Sequence, residues 1–288
     1  MTVTLLLETS PLAFTLLCLV LGLLVGSFLN VVIHRLPIML EREWQAEYVR
    51  FGGTPPPDER FNLMVPRSRC PHCGHLITAL ENVPLLSYAM LRGRCSACRA
   101  PISPRYALVE AVSGLLSAWA AWHFGFGWAA FGALLLSWGL LAMSVIDLET
   151  QLLPDKLTLP LLWLGLVFNL GQVFTDLRSA VIGAVAGYLV LWSIYHAFRL
   201  LTGKEGMGYG DFKLLALLGA WFGWQRLPAV IILSAGVGAV LGIALIAGKR
   251  LKQGQPMPFG PFLAAAGLIV LYWGAPITAA YLSFTGVH

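Results

Sequence analysis

The feature that most constrains the fold of this chain is a succession of long apolar runs separated by short polar segments. Runs of about 17–25 apolar residues are long enough to cross the hydrocarbon core of a bilayer as helices. Charged residues make up 11% of the chain and hydrophobic residues 58%, whereas a soluble domain carries about 25% charged residues. The composition therefore predicts an all-α polytopic membrane protein of about eight transmembrane helices, near residues 11–33, 105–125, 128–147, 157–174, 179–200, 212–225, 228–248 and 259–283.

The distribution of basic residues predicts the orientation of these spans. If the spans alternate in direction, all but two of the 19 Lys and Arg residues fall on one side of the membrane, and only Arg178 and Arg226 fall on the other. Cytoplasmic loops collect Lys and Arg, so we expect both termini to lie outside the cytoplasm. The net charge of +5 then follows from topology, and we expect membrane lipid as a partner and no nucleic acid.

One sizeable polar segment interrupts the apolar pattern, and it suggests three regions. We expect a first transmembrane helix at 1–34, a cytoplasmic zinc-binding domain at 35–104 and a membrane helical bundle at 105–288.

The polar segment contains two C-x₂-C pairs, Cys70 with Cys73 and Cys95 with Cys98. Four thiolates suit tetrahedral Zn²⁺, and a small domain with little core gains stability from such a site. Two disulfides or a redox pair are the alternative, which the reducing cytosol disfavours. Cys18, alone in the first span, is expected to be a small packing residue.

Two aspartates stand at the ends of apolar runs that should meet at one membrane face. Asp147 ends the third span, and Asp211 begins the sixth after Gly208-Tyr-Gly210. The third span enters the cytoplasm and the sixth leaves it, so both carboxylates should lie at the cytoplasmic face. Acidic groups at membrane depth are costly and mark functional sites, and a close carboxylate pair is the machinery of aspartic proteolysis. The two glycines let the backbone approach a substrate closely.

These acidic residues also have simpler interpretations. Asp211 could be a helix N-cap, Asp147 an interfacial residue, and Asp155 the N-cap of the fourth span or a supporting residue. Paired acids could instead serve ion coupling in a membrane transporter, although the chain has no convincing internal repeat of the kind many transporters show. A third possibility is a non-enzymatic assembly scaffold that uses the zinc-binding loop for binding alone.

Several motifs together resemble those of the type IV prepilin peptidases. They are Gly26-Ser-Phe-Leu-Asn-Val-Val-Ile-His-Arg-Leu-Pro37, the two cysteine pairs, Ile146-Asp147 with Leu153-Pro-Asp155, and Gly208-Tyr-Gly-Asp211-Phe-Lys213. The resemblance runs from the first helix to the last. It implies a bifunctional enzyme of the bacterial inner membrane, which cleaves type IV prepilins and type II secretion pseudopilins at the cytoplasmic face. Such enzymes then N-methylate the new N-terminal residue with S-adenosylmethionine.

The same resemblance implies roles for individual residues. Asp147 and Asp211 would be the catalytic pair, and the four cysteines would hold structural Zn²⁺ in a domain linked to methylation. Gly93 and Arg94 lie in a stretch associated with methylation and are candidates for binding S-adenosylmethionine, for which no Rossmann-type glycine turn is present. The helix dipoles favour Asp211 as the ionised member of the pair and Asp147 as the protonated one. The supporting residues would be Asp155, Gly208, Gly210 and Lys213.

Overall fold

The structure is a computed structural model that describes residues 3–49, 60–204, 206–248 and 257–285. Within these ranges the regular structure is helical, with two isolated β-bridges in place of any strand. The prediction of an all-α protein is therefore confirmed for the described part of the chain. The chain divides into two compact units, Met1–Phe126 and Gly127–His288.

The first unit is dominated by two long helices and a loop-rich segment between them. Its helices are α1 (Val3–Thr9), α2 (Pro11–Val49), α3 (Leu86–Met90) and α4 (Pro104–Phe124). Helix α2 continues through Pro37 to Val49, well past residue 34, where the first region was expected to end. The guanidinium of Arg35 on this extension is buried and donates to the carbonyls of Asn62 at 2.9 Å and Pro66 at 2.5 Å.

Small residues allow α2 and α4 to pack closely. The Ser113 hydroxyl donates to the carbonyl of Gly22 at 2.6 Å. A Cβ atom at Gly26 would lie only 2.7 Å from Cα of Glu110. Close contact of this kind between small residues is the usual way in which membrane helices associate, because lipid tails give no hydrophobic drive.

In its described residues, the second unit is a bundle of six α-helices. They are α5 (Trp128–Thr150), α6 (Asp155–Leu170), α7 (Leu177–Thr202), α8 (Tyr209–Phe222), α9 (Leu227–Ala247) and α10 (Gly260–Thr285). Helices α6 and α8 run in the same direction, because side-chain bonds join their starts and also their ends. At the far ends, buried Asn169 donates to the carbonyls of Ala220 at 2.8 Å and Trp221 at 3.0 Å.

Helix α7 packs against α8 through two glycines, Gly183 and Gly187, spaced one turn apart. A Cβ atom at Gly187 would lie 2.6 Å from the carbonyl oxygen of Leu215. This G-x-x-x-G spacing lets the two backbones touch, and it fixes the position of α8, on which Asp211 lies.

By length and composition, five helices in the described residues could cross a membrane, which makes this a multi-pass membrane protein. They are Pro11–Val49, Trp128–Thr150, Leu177–Thr202, Trp224–Leu245 and Gly260–Ala280. The other three predicted spans are also helices, namely α4, α6 and α8. Helices α6 and α8 have only 16 and 14 residues.

Candidate active site and metal site

The structure brings Asp147 and Asp211 together inside the second unit. Asp147 lies in the last turn of α5, and Asp211 is the third residue of α8. Their exposed fractions are only 4% and 6%. The two carboxylates are close enough to act on each other electrostatically. Two buried acidic groups therefore share one site, although 63 residues separate them along the chain.

Each carboxylate is oriented by one backbone N–H from the start of a helix. Asp147 Oδ2 accepts a hydrogen bond from the N–H of Gly260, the first residue of α10, at 3.0 Å. Asp211 Oδ2 accepts one from the N–H of Gly208, the N-cap of α8, at 3.2 Å. N–H groups at helix starts lack intrahelical partners, which makes them good donors to a carboxylate. Asp211 thus reaches back to the N-cap from the third helical position instead of being the N-cap itself.

Two glycines at this site are required by lack of space. A Cβ atom at Gly260 would lie 2.6 Å from Asp147 Oδ2, and one at Gly210 would lie 2.7 Å from Cβ of Leu153. At Gly208 the nearest atom would be Asp211 Oδ2 at 3.7 Å, an ordinary contact. The sequence interpretation missed Gly260. The pair Gly260-Pro at the start of the last apolar run could have indicated it, because proline favours the first turn of a helix and so marks Gly260 as lying at a helix start.

The interpretation of Asp155 as an N-cap is wrong. The N-cap of α6 is Pro154, and Asp155 is the first helical residue. Its two carboxylate oxygens accept hydrogen bonds from Lys213 Nζ, both at 2.7 Å. The ion pair is partly exposed, with side-chain exposures of 31% for Lys213 and 51% for Asp155. A pair this exposed adds little stability, but it links the start of α6 to the start of α8.

In the first unit, the four cysteines come together as a group that could hold a metal ion. Their Sγ atoms all lie within 4.8 Å of one another. The Sγ atoms of Cys70 and Cys98 are 3.9 Å apart, and those of Cys73 and Cys95 are 4.0 Å apart. Tetrahedral zinc with bonds of about 2.3 Å separates its sulfur ligands by about 3.8 Å. The donor set and spacing therefore fit Zn²⁺.

The two C-x₂-C pairs form matching turns. In the first, the N–H of Gly74 donates to the carbonyl of Cys70, and in the second the N–H of Arg99 donates to that of Cys95. Gly74 and Arg99 both have positive φ, 73° and 60°. Hydrogen bonds from the backbone N–H groups of Cys73 and His72 lower the pKa of the Cys70 thiol to about 7. Such turns stabilise thiolates, which are the form that binds metal.

Glu81 joins the two cysteine turns. Its carboxylate accepts hydrogen bonds from the Ser96 hydroxyl, from the Thr78 N–H at 2.8 Å and from the Thr78 hydroxyl at 2.9 Å. These bonds lower the pKa of Glu81 to about 2. His75 Nε2 lies 3.2 Å from both carboxylate oxygens, so this imidazole is a partner of Glu81 and not part of the thiolate group. One acidic residue thus holds together two turns that are about 20 residues apart in sequence.

Gly93 and Arg94 lead into the second cysteine turn. Gly93 has φ of 67°, and a Cβ atom there would lie 2.9 Å from the hydroxyl of Tyr88. Its N–H donates to the carbonyl of Tyr88 at 2.8 Å, and its carbonyl accepts from Ile102 at 2.7 Å. Arg94 pairs with Pro101 in an isolated β-bridge. Glycine is thus needed at position 93 for conformation and space.

These features define a class of protein: a multi-pass membrane protein with two buried, paired aspartates and a group of four cysteines that could hold a metal ion. Two family models match the chain, the bacterial peptidase A24 N-terminal domain at residues 20–124 and the type IV leader peptidase family at residues 134–243. No solved structure matches.

Curated relatives are similar over nearly the whole length. The prepilin leader peptidase/N-methyltransferase of Stutzerimonas stutzeri is 61% identical over 280 residues, which cover 96% of this chain and 97% of that protein. The proteins of the same name from Aeromonas salmonicida strain A449 and Pseudomonas aeruginosa strain PAO1 are 61% and 57% identical. Both alignments cover 97% of this chain. They cover 99% of the Aeromonas salmonicida protein and 97% of the Pseudomonas aeruginosa protein. The chain belongs to the type IV leader peptidase family.

Proposed function

We propose that this chain removes leader peptides from type IV prepilins and type II secretion pseudopilins, and then N-methylates the new N-terminal residue. The observation that carries the proposal is the buried pair Asp147 and Asp211. It occurs in a chain that is 61% identical, over almost its full length, to proteins named prepilin leader peptidase/N-methyltransferase. The bacterial origin of these relatives supports a location in the inner membrane, with the site facing the cytoplasm.

The peptidase chemistry follows from the carboxylate pair. Two close buried carboxylates are costly to ionise together, so they share a proton. The ionised member takes a proton from a water molecule, which attacks the scissile carbonyl carbon, while the protonated member donates to the carbonyl oxygen. The C–N bond then breaks as the leaving amine takes up the proton that the base took from water, and the other carboxylate recovers a proton from a hydroxyl group of the tetrahedral diol. The N–H groups of Gly208 and Gly260 hold the carboxylates in place for these transfers.

The positions of the two aspartates within their helices support the assignment of roles. Asp211 lies in the first turn of α8, where the helix dipole favours negative charge, and Asp147 lies in the last turn of α5, where the dipole opposes it. Such effects amount to about 0.3–1 kcal/mol, enough to choose between two otherwise similar groups. From the helix dipoles alone, we therefore propose Asp211 as the base in this mechanism and Asp147 as the acid.

An arrangement of eight spans accounts for the site better than one of five. Asp155 pairs with Lys213, and the Gly260 N–H binds Asp147, so the end of α5 lies beside the starts of α6, α8 and α10. If α4, α6 and α8 did not cross, alternation would put Asp147 and Asp211 on opposite sides of the membrane. At about 24 and 21 Å, α6 and α8 are shorter than a bilayer core of about 30 Å, and local thinning accommodates the difference.

The four cysteines hold structural Zn²⁺ in a cytoplasmic domain, proposed as residues 35–104. When bound, S-adenosylmethionine supplies the methyl group in this mechanism. Gly93 and Arg94 remain candidates for its site because they adjoin Cys95 in a segment that the hydrogen bonds of Gly93 hold rigidly. Asp155 and Lys213 act as supports, since their ion pair holds the start of the helix on which Asp211 lies.

We expect Asp147→Asn and Asp211→Asn each to abolish cleavage of a prepilin-like peptide, because water activation needs both groups. Both variants should still methylate a peptide supplied without its leader. Asp155→Asn should retain partial cleavage, since it removes an exposed ion pair. The measurement is cleavage by purified protein in detergent, followed by mass spectrometry.

Asp176→Asn is the matched control for these variants. Asp176 is the N-cap of α7 and accepts from the Ser179 N–H at 2.9 Å, and asparagine caps helices equally well. Full cleavage by either dyad variant would refute the assignment. Cleavage by the parent protein in detergent, where no ion gradient exists, would also exclude a transporter as the basis of the activity.

A further inference from the structure

A third buried acidic residue, Glu110, lies in the first unit and takes no part in the proposed peptidase site. It is on α4 and is only 9% exposed. Its Oε2 atom accepts a hydrogen bond from the N–H of Leu85 at 2.9 Å, and the hydroxyl of Ser27 lies near the carboxylate. No Lys, Arg or His among the described residues forms an ion pair with Glu110. A buried carboxyl group without a cation is neutral when it holds a proton, and it is ionised without great cost where a ligand supplies the positive charge.

A buried acceptor without a hydrogen-bond partner among the described residues lies on α2, the helix that packs against α4. Asn30 on α2 is 5% exposed, and its Nδ2 atom donates to the carbonyl of Tyr106 at 3.0 Å. Its Oδ1 atom is fully buried and has no hydrogen-bond partner in the described part of the protein. A buried amide oxygen of this kind costs about 1–3 kcal/mol unless something donates to it.

The two groups converge because of how α2 and α4 pack. Asn30 lies opposite Tyr106, and Gly26, one turn earlier, lies opposite Glu110. Helical side chains point back towards the N-terminus of their own helix. Since the helices run in opposite directions at this contact, the side chain of Glu110 leans towards the level of Tyr106. The side chain of Asn30 leans towards the level of Gly26, and thus towards Glu110.

The loop that includes Leu85 contacts Glu110 and is held in an unusual conformation. Leu85, whose N–H binds Glu110, has φ of 58°, which non-glycine residues rarely adopt. Ser27 also donates to Asn82 Oδ1 at 3.4 Å, and Asn82 is exposed, so the acceptors lie one layer below the surface. Residues held in such conformations concentrate at ligand sites. The same loop continues to Tyr88, against which Gly93 packs.

We propose that Glu110 and Asn30 bind the α-ammonium group of the cleaved substrate and so form the methyl-acceptor site. Because an ammonium nitrogen has no lone pair, Glu110 takes one of its protons, and the resulting amine can accept the methyl group that S-adenosylmethionine would supply. An ammonium group offers three N–H donors and one positive charge. The carboxylate, the Asn30 amide oxygen and the Ser27 hydroxyl supply matching acceptors.

Glu110 lies six residues into α4, about 9 Å along the helix. This depth suits the N-terminus of a substrate whose apolar segment lies in the membrane. The inference rests on the proposed function.

Glu110→Gln tests the site, because glutamine keeps the size of the side chain and an acceptor for the Leu85 N–H but removes the charge. The probe is a fluorescent peptide with the sequence of a mature pilin N-terminus, either with a free α-amine or N-acetylated. Binding to purified protein is followed by fluorescence anisotropy. The parent should bind the free amine at least about tenfold more tightly than the acetylated form. Glu110→Gln should lose this preference, and Asn30→Leu should reduce it.

Glu41→Gln is the matched control, since it removes an exposed carboxylate from α2 and should leave the preference unchanged. In Glu110→Gln, cleavage of the full prepilin-like peptide and the affinity for S-adenosylmethionine should stay within about twofold of the parent, since neither involves the acceptor amine.

Retention of the free-amine preference by Glu110→Gln would overturn the proposal. A parallel loss of cleavage and of binding to both peptides would also overturn it, because that pattern indicates a structural role. A selective loss of S-adenosylmethionine binding would assign the acceptors to the ammonium of the methyl donor instead. If the parent itself neither cleaved nor methylated, the proposed function would fail before this test was reached.

Discussion

At the residue scale, the position of Asp147 depends on a glycine from the other end of the chain. The N–H of Gly260 binds its carboxylate, and the absence of a side chain at Gly260 leaves room for that contact. A catalytic carboxylate displaced by about 1 Å can lose a factor of about 10² in rate. Gly260 is therefore as important to the proposed peptidase as a residue that touches the substrate.

We expect Gly260→Ala to reduce peptide cleavage by about 10- to 100-fold, since the added methyl group pushes the Asp147 carboxylate away from its backbone donor. Methylation of a pre-cleaved peptide should be unaffected. Gly236→Ala is the control, because a Cβ atom there would meet no other atom within 4 Å. Steady-state cleavage assays on the three proteins give the comparison. Equal activity of Gly260→Ala and the parent would contradict the role given to this glycine.

The sequence indicated the two aspartates and Gly208, whose N–H binds Asp211, but not Gly260, whose N–H binds Asp147. Asp147 and Asp211 stood out because an acidic residue at the edge of an apolar run is conspicuous. Gly260, Asn30 and Glu110 lie within apolar or ordinary helical sequence, and their roles come from contacts between helices that are distant in the chain. Periodicity predicts that a helix exists, but it does not say which side chain of a neighbouring helix will face it.

At the scale of elements, the apolar pattern located every helix of the second unit, but not all of the ends. Helix α2 was expected to stop near residue 34, yet it extends to Val49, and the buried Arg35 guanidinium just past the expected end binds the Asn62 and Pro66 carbonyls. Helix α6 begins at Asp155 itself because Pro154 takes the N-cap position. The apolar pattern records neither the more polar continuation of α2 beyond residue 34 nor the N-cap of α6, which has no side-chain hydrogen bond.

At the end of the second unit away from the aspartates, the side-chain amide of Asn169 joins the end of α6, the end of α8 and the loop that follows α6. Asn169 is fully buried and donates to the ends of α8, while its Oδ1 atom accepts from the N–H groups of Phe174 and Thr175, both at 3.1 Å. Asn169→Ala leaves these buried groups unpaired and should cost about 2–4 kcal/mol. Thermal unfolding in detergent should show a midpoint about 5–10 °C lower.

Gln172→Asn, an exposed change in the loop that follows α6, is the control for this prediction and should shift the midpoint little. An unchanged midpoint for Asn169→Ala would mean that water replaces the lost hydrogen bonds.

At the scale of the whole molecule, the two proposed activities use residues from different compact units. The carboxylate pair lies entirely within Gly127–His288, and the four cysteines and Glu110 lie within Met1–Phe126. Each unit also has its own family match, at residues 134–243 and 20–124. This division predicts that damage to the metal site should affect methylation far more than cleavage.

We expect Cys98→Ser to lose zinc and to lower methylation at least about tenfold, while cleavage stays within a few-fold of the parent at low temperature. Serine is a poor zinc ligand, so the change removes one of the four groups that could hold the metal. Cys18→Ser is the control, because Cys18 is buried on α2, away from the thiolate group. Metal analysis combined with separate assays for cleavage and methylation measures each effect. Methylation at the parent rate by zinc-free Cys98→Ser, or an equal fall in both activities, would show that the two functions are not divided between the units in this way.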